Sequence, residues 1–82
     1  MSLADSIRDF AFKRYIEPAR KQGKRSVTIR AGDIHKDMGL HDRMPDVSSA
    51  LGSKKFEKQF NIKRLKVEGP LHGANTLFTF EI

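Results

Sequence analysis

Residues 34–60 read IHKDMGLHDRMPDVSSALGSKKFEKQF, and the reading of this stretch decides the fold. Ile34 and Met38 stand four apart and share one helix face. Gly39 follows, a residue that accepts the left-handed backbone at which many helices end, and Leu40 can fold back on the helix. Asp42 is placed to cap a second helix with its carboxylate. Pro45 sits in the first turn, where its missing N–H breaks no bond. Met44, Val47, Ala50 and Leu51 recur at spacings of three and four. Gly52 is a second stop, and Ser53 can cap a short extension carrying Phe56 and Phe60. Two short helices across a glycine-containing turn form the skeleton of a helix-turn-helix. An αα-hairpin that only packs a core would read the same way, so the flanking sequence must decide.

Upstream, residues 4–16 carry Ile7, Phe10 and Ala11 as one stripe, with Phe12, Tyr15 and Ile16 widening it. A helix this broadly apolar packs on more than one flank. Pro18 either ends it near Glu17 or kinks it on the way to Gln22, and Gly23 closes it. Ser26 to Arg30 alternates polar and apolar and is β-branched, which predicts a short half-buried strand. Ala31-Gly32-Asp33 reads as a break, with Asp33 capping the helix from Ile34. Downstream, residues 62–68 and 76–82 alternate as two strands around the loop Gly69–Asn75. Phe78, Phe80 and Ile82 are expected on one face, with Leu77, Thr79 and Glu81 on the other. The expected core is Val27, Ile29, Ile34, Met38, Leu40, Val47, Leu51, Phe56, Leu65, Phe78 and Phe80.

The chain has 82 residues and 38% hydrophobic residues, enough for one small domain over residues 1–82 and no second core. It has no cysteine, which removes disulfides and thiolate metal sites. No run approaches the roughly 20 apolar residues of a membrane span. Asp5 and Asp9 stand where a signal peptide would be apolar, so a cytoplasmic location is expected. The net charge of +6 and pI of about 10.0 point to a polyanionic partner, although solubility alone also favours basic surfaces.

The order helix, strand, helix, turn, helix with a short extension, strand, loop, strand resembles the winged helix-turn-helix superfamily. The segments TIRAGDIHKDMGL and KRLKVEGPLHGANTLFTFEI carry the resemblance, which spans nearly the whole chain. It implies an α+β fold with a small three-stranded antiparallel sheet, in which the early strand joins the hairpin. It further implies that the second helix of the pair lies in the major groove of DNA and that loop 69–75 is a wing.

On that reading the outward face of the second helix holds Arg43, Asp46, Ser48, Ser49 and Ser53. Arg43 stands at the helix start, where base contacts concentrate, and arginine pairs bidentately with guanine. The serines are small enough for close approach. Lys54, Lys55, Lys63, Arg64 and Lys66 suit phosphates, with Arg64 and Lys66 expected to face water together on their strand, and His72 and Asn75 supply hydrogen bonds from the loop. Asp46 is repelled by phosphate, and the loop lacks Arg and Lys. Both features favour contact with the DNA backbone over strong sequence readout.

The chain shows no Walker pattern, nucleophile elbow or Gly-rich phosphate loop, and its histidines lack metal-ligand spacing. We therefore expect no enzyme, no cofactor, no metal and no small-molecule substrate. The expected function is double-stranded DNA binding by a small transcriptional or nucleoid regulator. A winged-helix module for protein or RNA is the alternative, with Tyr15, Leu71 and Leu77 as its candidate apolar patch. Dimerisation is how a lone domain of this size gains site specificity, and the apolar flank of the first helix is where a homodimer would meet.

Overall fold

The computed structural model describes residues 2–70 and 73–82. Among the described residues the chain is α+β, with four helices and a three-stranded antiparallel sheet. Helix α1 covers residues 3–21. It comprises Leu3–Ala11, a π-helical stretch Phe12–Ile16, and Glu17–Lys21. Strand β1 is Ser26–Arg30, α2 is Ala31–Asp37, α3 is Met44–Leu51, α4 is Lys54–Phe60, β2 is Lys63–Glu68 and β3 is Leu77–Glu81. Among the described residues no helix is long and apolar enough to cross a membrane.

Helix α1 passes through Pro18 instead of ending before it. A proline ring collides with the carbonyl four residues back and has no N–H to give it. The π-helical stretch ends just before Pro18, with the Glu17 N–H reaching back five residues to the Phe12 carbonyl. Such a widened turn gives a helix room to absorb a misfit residue without breaking.

At its other end, α1 is held by a reciprocal cap. The Asp5 N–H donates to Ser2 Oγ at 3.1 Å, and the Ser2 N–H donates to Asp5 Oδ2 at 3.3 Å. Asp5 also accepts from Arg8 Nη2 at 2.5 Å and Lys55 Nζ at 3.4 Å, so it ties α1 to α4. Arg8 above all, then Ser2, holds the Asp5 carboxyl far below the usual carboxylate range. A group whose folded value is depressed stabilises the fold above its unfolded value of about 3.9, and that stabilisation is lost as pH falls below it. Asp5→Asn is therefore expected to melt below the parent at pH 7. In thermal melts across pH 7 to 2, the gap between the two should begin to close below about pH 4 and narrow progressively as the pH falls further.

Helix α2 ends as its glycine predicts. Gly39 takes φ +67°, the Gly39 N–H meets the Lys36 carbonyl, and the Leu40 N–H meets the His35 carbonyl, each at 3.0 Å. This is the Schellman arrangement, and it folds Leu40 back so that it packs against the core.

Both aspartate caps predicted for the helix pair are wrong. Helix α2 begins at Ala31, with Arg30 at the cap position, so Asp33 lies inside the first turn. Its free N–H groups are met by the hairpin loop: Ala31 donates to the Thr76 carbonyl and Gly32 to the Ala74 carbonyl, both at 2.9 Å. Asp42 does not cap α3. It takes a left-handed φ of +53° in the turn, and the cap position falls to Arg43, whose N–H donates to His35 Nε2 at 3.2 Å.

The loop approaches α2 closely because residue 32 has no side chain. A Cβ there would lie 2.6 Å from the Ala74 carbonyl oxygen. Gly32→Ala should force the two segments apart and cost about 1–3 kcal/mol, a fall in Tm on the order of 10 °C. Calorimetry of the two proteins measures it, and an unchanged Tm would mean that the loop is not pinned.

The sheet order is β1-β3-β2, with both neighbours antiparallel to β3. In β3, Phe78, Thr79 and Phe80 are all buried, Leu77 and Ile82 are partly buried, and Glu81 is exposed. Phe78 and Phe80 join Ile29, Ile34, Val47, Leu51 and Phe56 in one core, together with Ile7, Ala11, Ile16, Ala31, Ala50 and Ile62. Val27, Met38 and Leu40 pack at its margin.

Leu65 departs from the prediction, with half its surface exposed (50%). The β2–β3 register runs Lys63↔Glu81, Arg64↔Phe80, then Lys66↔Thr79 and Val67↔Phe78. Leu65 is thus an extra residue in β2, a bulge that interrupts the pairing. The bulge also separates two cations expected to face water together. Arg64 lies opposite Phe80 and Lys66 opposite Thr79, so they belong to opposite faces of the sheet.

Candidate nucleic-acid interface

Helix α3 packs chiefly against α1 and α2. Val47, Ser48, Ala50 and Leu51 are buried and Met44 is half-buried, leaving Arg43, Pro45, Asp46 and Ser49 exposed. Positions 44, 47, 48 and 51 form one stripe at spacings of three and four. Ser48 therefore faces inward, not outward as predicted. It is 4% exposed, and its hydroxyl has no hydrogen-bond partner among the described residues.

The exposed strip of α3 is mixed in charge. Arg43 Nη1 lies 3.5 Å from Asp46 Oδ2, and both side chains are about half exposed. An exposed ion pair of this kind stabilises by only about 0–1 kcal/mol, so Arg43 can exchange Asp46 for another acceptor at little cost. The His35 bond to the Arg43 N–H fixes the start of α3 against the end of α2.

The remaining predicted residues divide by what they already hold. Ser53 caps α4: its Oγ accepts from the Phe56 N–H at 3.3 Å and donates to the Ala50 carbonyl at 2.8 Å. Arg64 Nη1 donates to the Gly52 carbonyl at 2.7 Å, and the Arg64 N–H donates to Glu57 Oε1 at 2.7 Å. Lys66 pairs with Glu68 at 3.3 Å. Lys54 and Lys55 are exposed, but they line an open groove of about 790 Å³ between α1 and α4 that also contains Asp5 and Asp9. His72 lies outside the described residues.

Asn75 does not project freely from the loop. Its Oδ1 accepts from Arg30 Nη2 at 2.7 Å, while Arg30 Nη1 donates to Asp33 Oδ1 at 2.9 Å. Thr76, fully buried, bonds Pro70 and Gly73 within the loop. Arg30 is thus the residue that sequence reasoning missed, joining β1, α2 and the loop. Its spacing of three from Asp33 was a visible signal for half of that arrangement. The partner at residue 75 was not visible.

Two further features bear on function. The largest exposed apolar side chains among the described residues are Leu65 and Val67 (40%) on β2. Tyr15 and Leu77 are half-buried, and Leu71 lies outside the described residues. The phenylalanines pack inward on one another: Phe56 meets Phe80 at 5.2 Å and Phe60 at 5.6 Å, and Phe12 stacks on Phe60 at 4.2 Å. They do not form an open platform for bases. Among the described residues no three His, Cys, Asp or Glu side chains gather where a metal could bind. No protein-family model, curated protein or solved structure matches the chain.

Proposed function

We propose that this domain is a winged helix-turn-helix protein that binds double-stranded DNA, as a small transcriptional or nucleoid regulator. In this reading α3 enters the major groove and loop 69–75 is the wing. One observation carries it: the loop caps the N-terminus of α2 through the Thr76 and Ala74 carbonyls, with Arg30 bracing Asn75. The base of the loop, at residues 74–76, is thereby tied to the start of the helix pair, which supports a two-part groove contact. The net charge of +6 supports the same reading.

Arg43 and Ser49 are the residues of α3 available to bases. Lys54, Lys55, Lys63, Arg64 and Lys66 serve phosphates, Lys55 and Lys66 after leaving their exposed carboxylate partners. Ser48 and Ser53 act through the fold and not by contact. The exposed Leu65 and Val67 favour a second reading, a protein-binding module with its contact on β2.

The test begins with selection of a preferred site from random duplexes. Arg43→Ala should then cost about 1–3 kcal/mol on that site and much less on scrambled DNA. Lys66→Ala should weaken both equally, because phosphates carry no sequence information. Parallel losses for both variants would make Arg43 a phosphate anchor. Failure to bind any duplex at low salt would reject the DNA reading in favour of the protein-binding one.

A further inference from the structure

The sheet has two outer strands, β1 and β2, and they are finished differently. In β2 the Arg64 N–H points away from β3 and is taken by Glu57 Oε1 at 2.7 Å. The bulge at Leu65 breaks the ladder, and Lys63, Arg64 and Lys66 line the strand. These are devices by which a sheet edge refuses a further strand. Strand β1 has none of them. Ser26-Val27-Thr28-Ile29-Arg30 pairs with β3 without a shift of register and contains no proline. Its one charge is on Arg30, whose guanidinium is already held by Asp33 and Asn75.

The register fixes which way the β1 backbone points. The Ile82 N–H donates to the Arg25 carbonyl, and the Ala31 N–H donates to the Thr76 carbonyl, each at 2.9 Å. In an antiparallel ladder, residues that exchange bonds with the neighbour alternate with residues that do not. Residues 25, 27, 29 and 31 therefore turn their N–H and C=O groups toward β3, and Ser26, Thr28 and Arg30 turn theirs away from it. Among the described residues none bonds the outward backbone of Ser26 or Thr28, and both are exposed.

This edge is complementary to itself. Full antiparallel overlap of two copies of β1 places a two-fold axis at Thr28. Thr28 then meets Thr28, and Ser26 meets Arg30 of the second copy. Those are the residues with outward backbone groups, so about six hydrogen bonds close the gap between the strands. Between them Val27 falls against Ile29 of the second copy, on the face that carries Phe78 and Phe80. Val27 is half-buried in one copy alone, and a β-branched partner covers it further. Charge matches as well. The same register brings Lys24 and Arg25, which have no carboxylate within 4 Å among the described residues, alongside Gly32 and Ala31 of the second copy. Asp33, about half exposed, is the next residue there.

We propose that β1 is the docking edge for a second copy of this chain, so that two three-stranded sheets join into one across a two-fold axis at Thr28. The match in backbone direction, apolar pairs and charge favours a second copy over a foreign strand. A two-fold contact uses the same patch on both copies and closes on itself. The guarded β2 edges then end the joined sheet on both sides. The contact lies on β1 and not on the flank of α1 expected from the sequence. It sets the two hairpin loops at opposite ends of the joined sheet, and it does not depend on the DNA reading.

The test combines sedimentation over a concentration series with cross-linking. The parent should rise from the 9.3 kDa of one chain toward twice that mass. Thr28→Pro removes the outward N–H at the axis and no bond to β3, so it should stay folded and raise the dimer dissociation constant about tenfold or more. Should circular dichroism show it unfolded, Thr28→Lys decides, because an exposed lysine is tolerated and sets like charges face to face at the axis. The chain has no cysteine, so an introduced thiol reports one position. Thr28→Cys places two thiols across a bonded pair with Cα atoms about 5.5 Å apart, within disulfide reach. Ser26→Cys places them about 14 Å apart. Thr28→Cys should therefore cross-link about tenfold faster under mild oxidation. A parent at single-chain mass throughout would overturn the proposal. Folded Thr28→Pro or Thr28→Lys protein that dimerises as the parent does would assign the contact to another surface. Equal cross-linking of the two cysteine variants would report random collision. A single-chain parent that binds a synthetic peptide of residues 24–32 would make the edge a site for a foreign strand. Each of these results overturns the inference, and none of them bears on the DNA reading, which duplex titration tests separately.

Discussion

Val47→Asp is expected to leave the chain unfolded. Val47 is fully buried in α3, in the core shared with Ile7, Ile34 and Leu51. The substitution loses the burial of a valine, about 1.5–3 kcal/mol, and adds a carboxyl group to an apolar site, which costs several kcal/mol more whether it ionises or takes up a proton. A domain of this length has a total stability of roughly 4–12 kcal/mol. Circular dichroism should show loss of helix and no cooperative melt. A folded, cooperatively melting variant would mean that α3 turns a different face to the core. Ser48→Ala is the companion measurement, because it removes a buried hydroxyl that has no partner among the described residues. It should be neutral or stabilising, which shows that damage at this face follows from chemistry and not from mutation as such.

Affinity for duplex DNA is expected to collapse with salt. Lys54, Lys55, Lys63, Arg64 and Lys66 place about five cations at phosphates, which sets a log–log slope near −4 to −5. Between 50 and 200 mM monovalent salt the association constant should fall about 500-fold. A fluorescence-anisotropy titration reads this directly. Several of these cations already hold a weak partner, such as Glu68 for Lys66 and Asp5 for Lys55. Exchange of one exposed partner for another leaves the count of released counterions nearly intact, so the slope should survive those pairs. A slope near zero would remove the backbone-dominated mode of binding.

The helices and strands were legible because their signals are local. Alternation in Ser26–Arg30 and in Leu77–Glu81, and the glycine at position 39, depend on nearest neighbours along the chain. The errors came from partners far away in sequence. Asp33 and Asp42 are good caps in isolation, but carbonyls from residues 74 and 76 hold an earlier start of α2 at Ala31, and the His35 ring holds the N–H of Arg43, which takes the cap position of α3. Ser48 was misplaced because its polarity outweighed its spacing from Met44 and Leu51. Leu65 was misplaced because one bulged residue inverts the alternation of everything after it, and nothing in KRLKVE announces it. The candidate site suffered most from these errors, since Arg64 and Lys66 were assigned to one face by the alternation that the bulge breaks.

That bulge also bears on how the chain avoids polymerising. Strand β2 is an outer strand, and it presents Leu65 and Val67 to solvent. A straight outer strand with exposed apolar side chains is a template on which further copies can stack. Here the extra residue bends the ladder, and Lys63, Arg64 and Lys66 set like charges along it, so an incoming copy finds neither matching hydrogen bonds nor neutral ground. Deleting Leu65 would straighten the strand and remove one apolar group at once. On this account such a protein would be less greasy than the parent and yet more prone to form fibres.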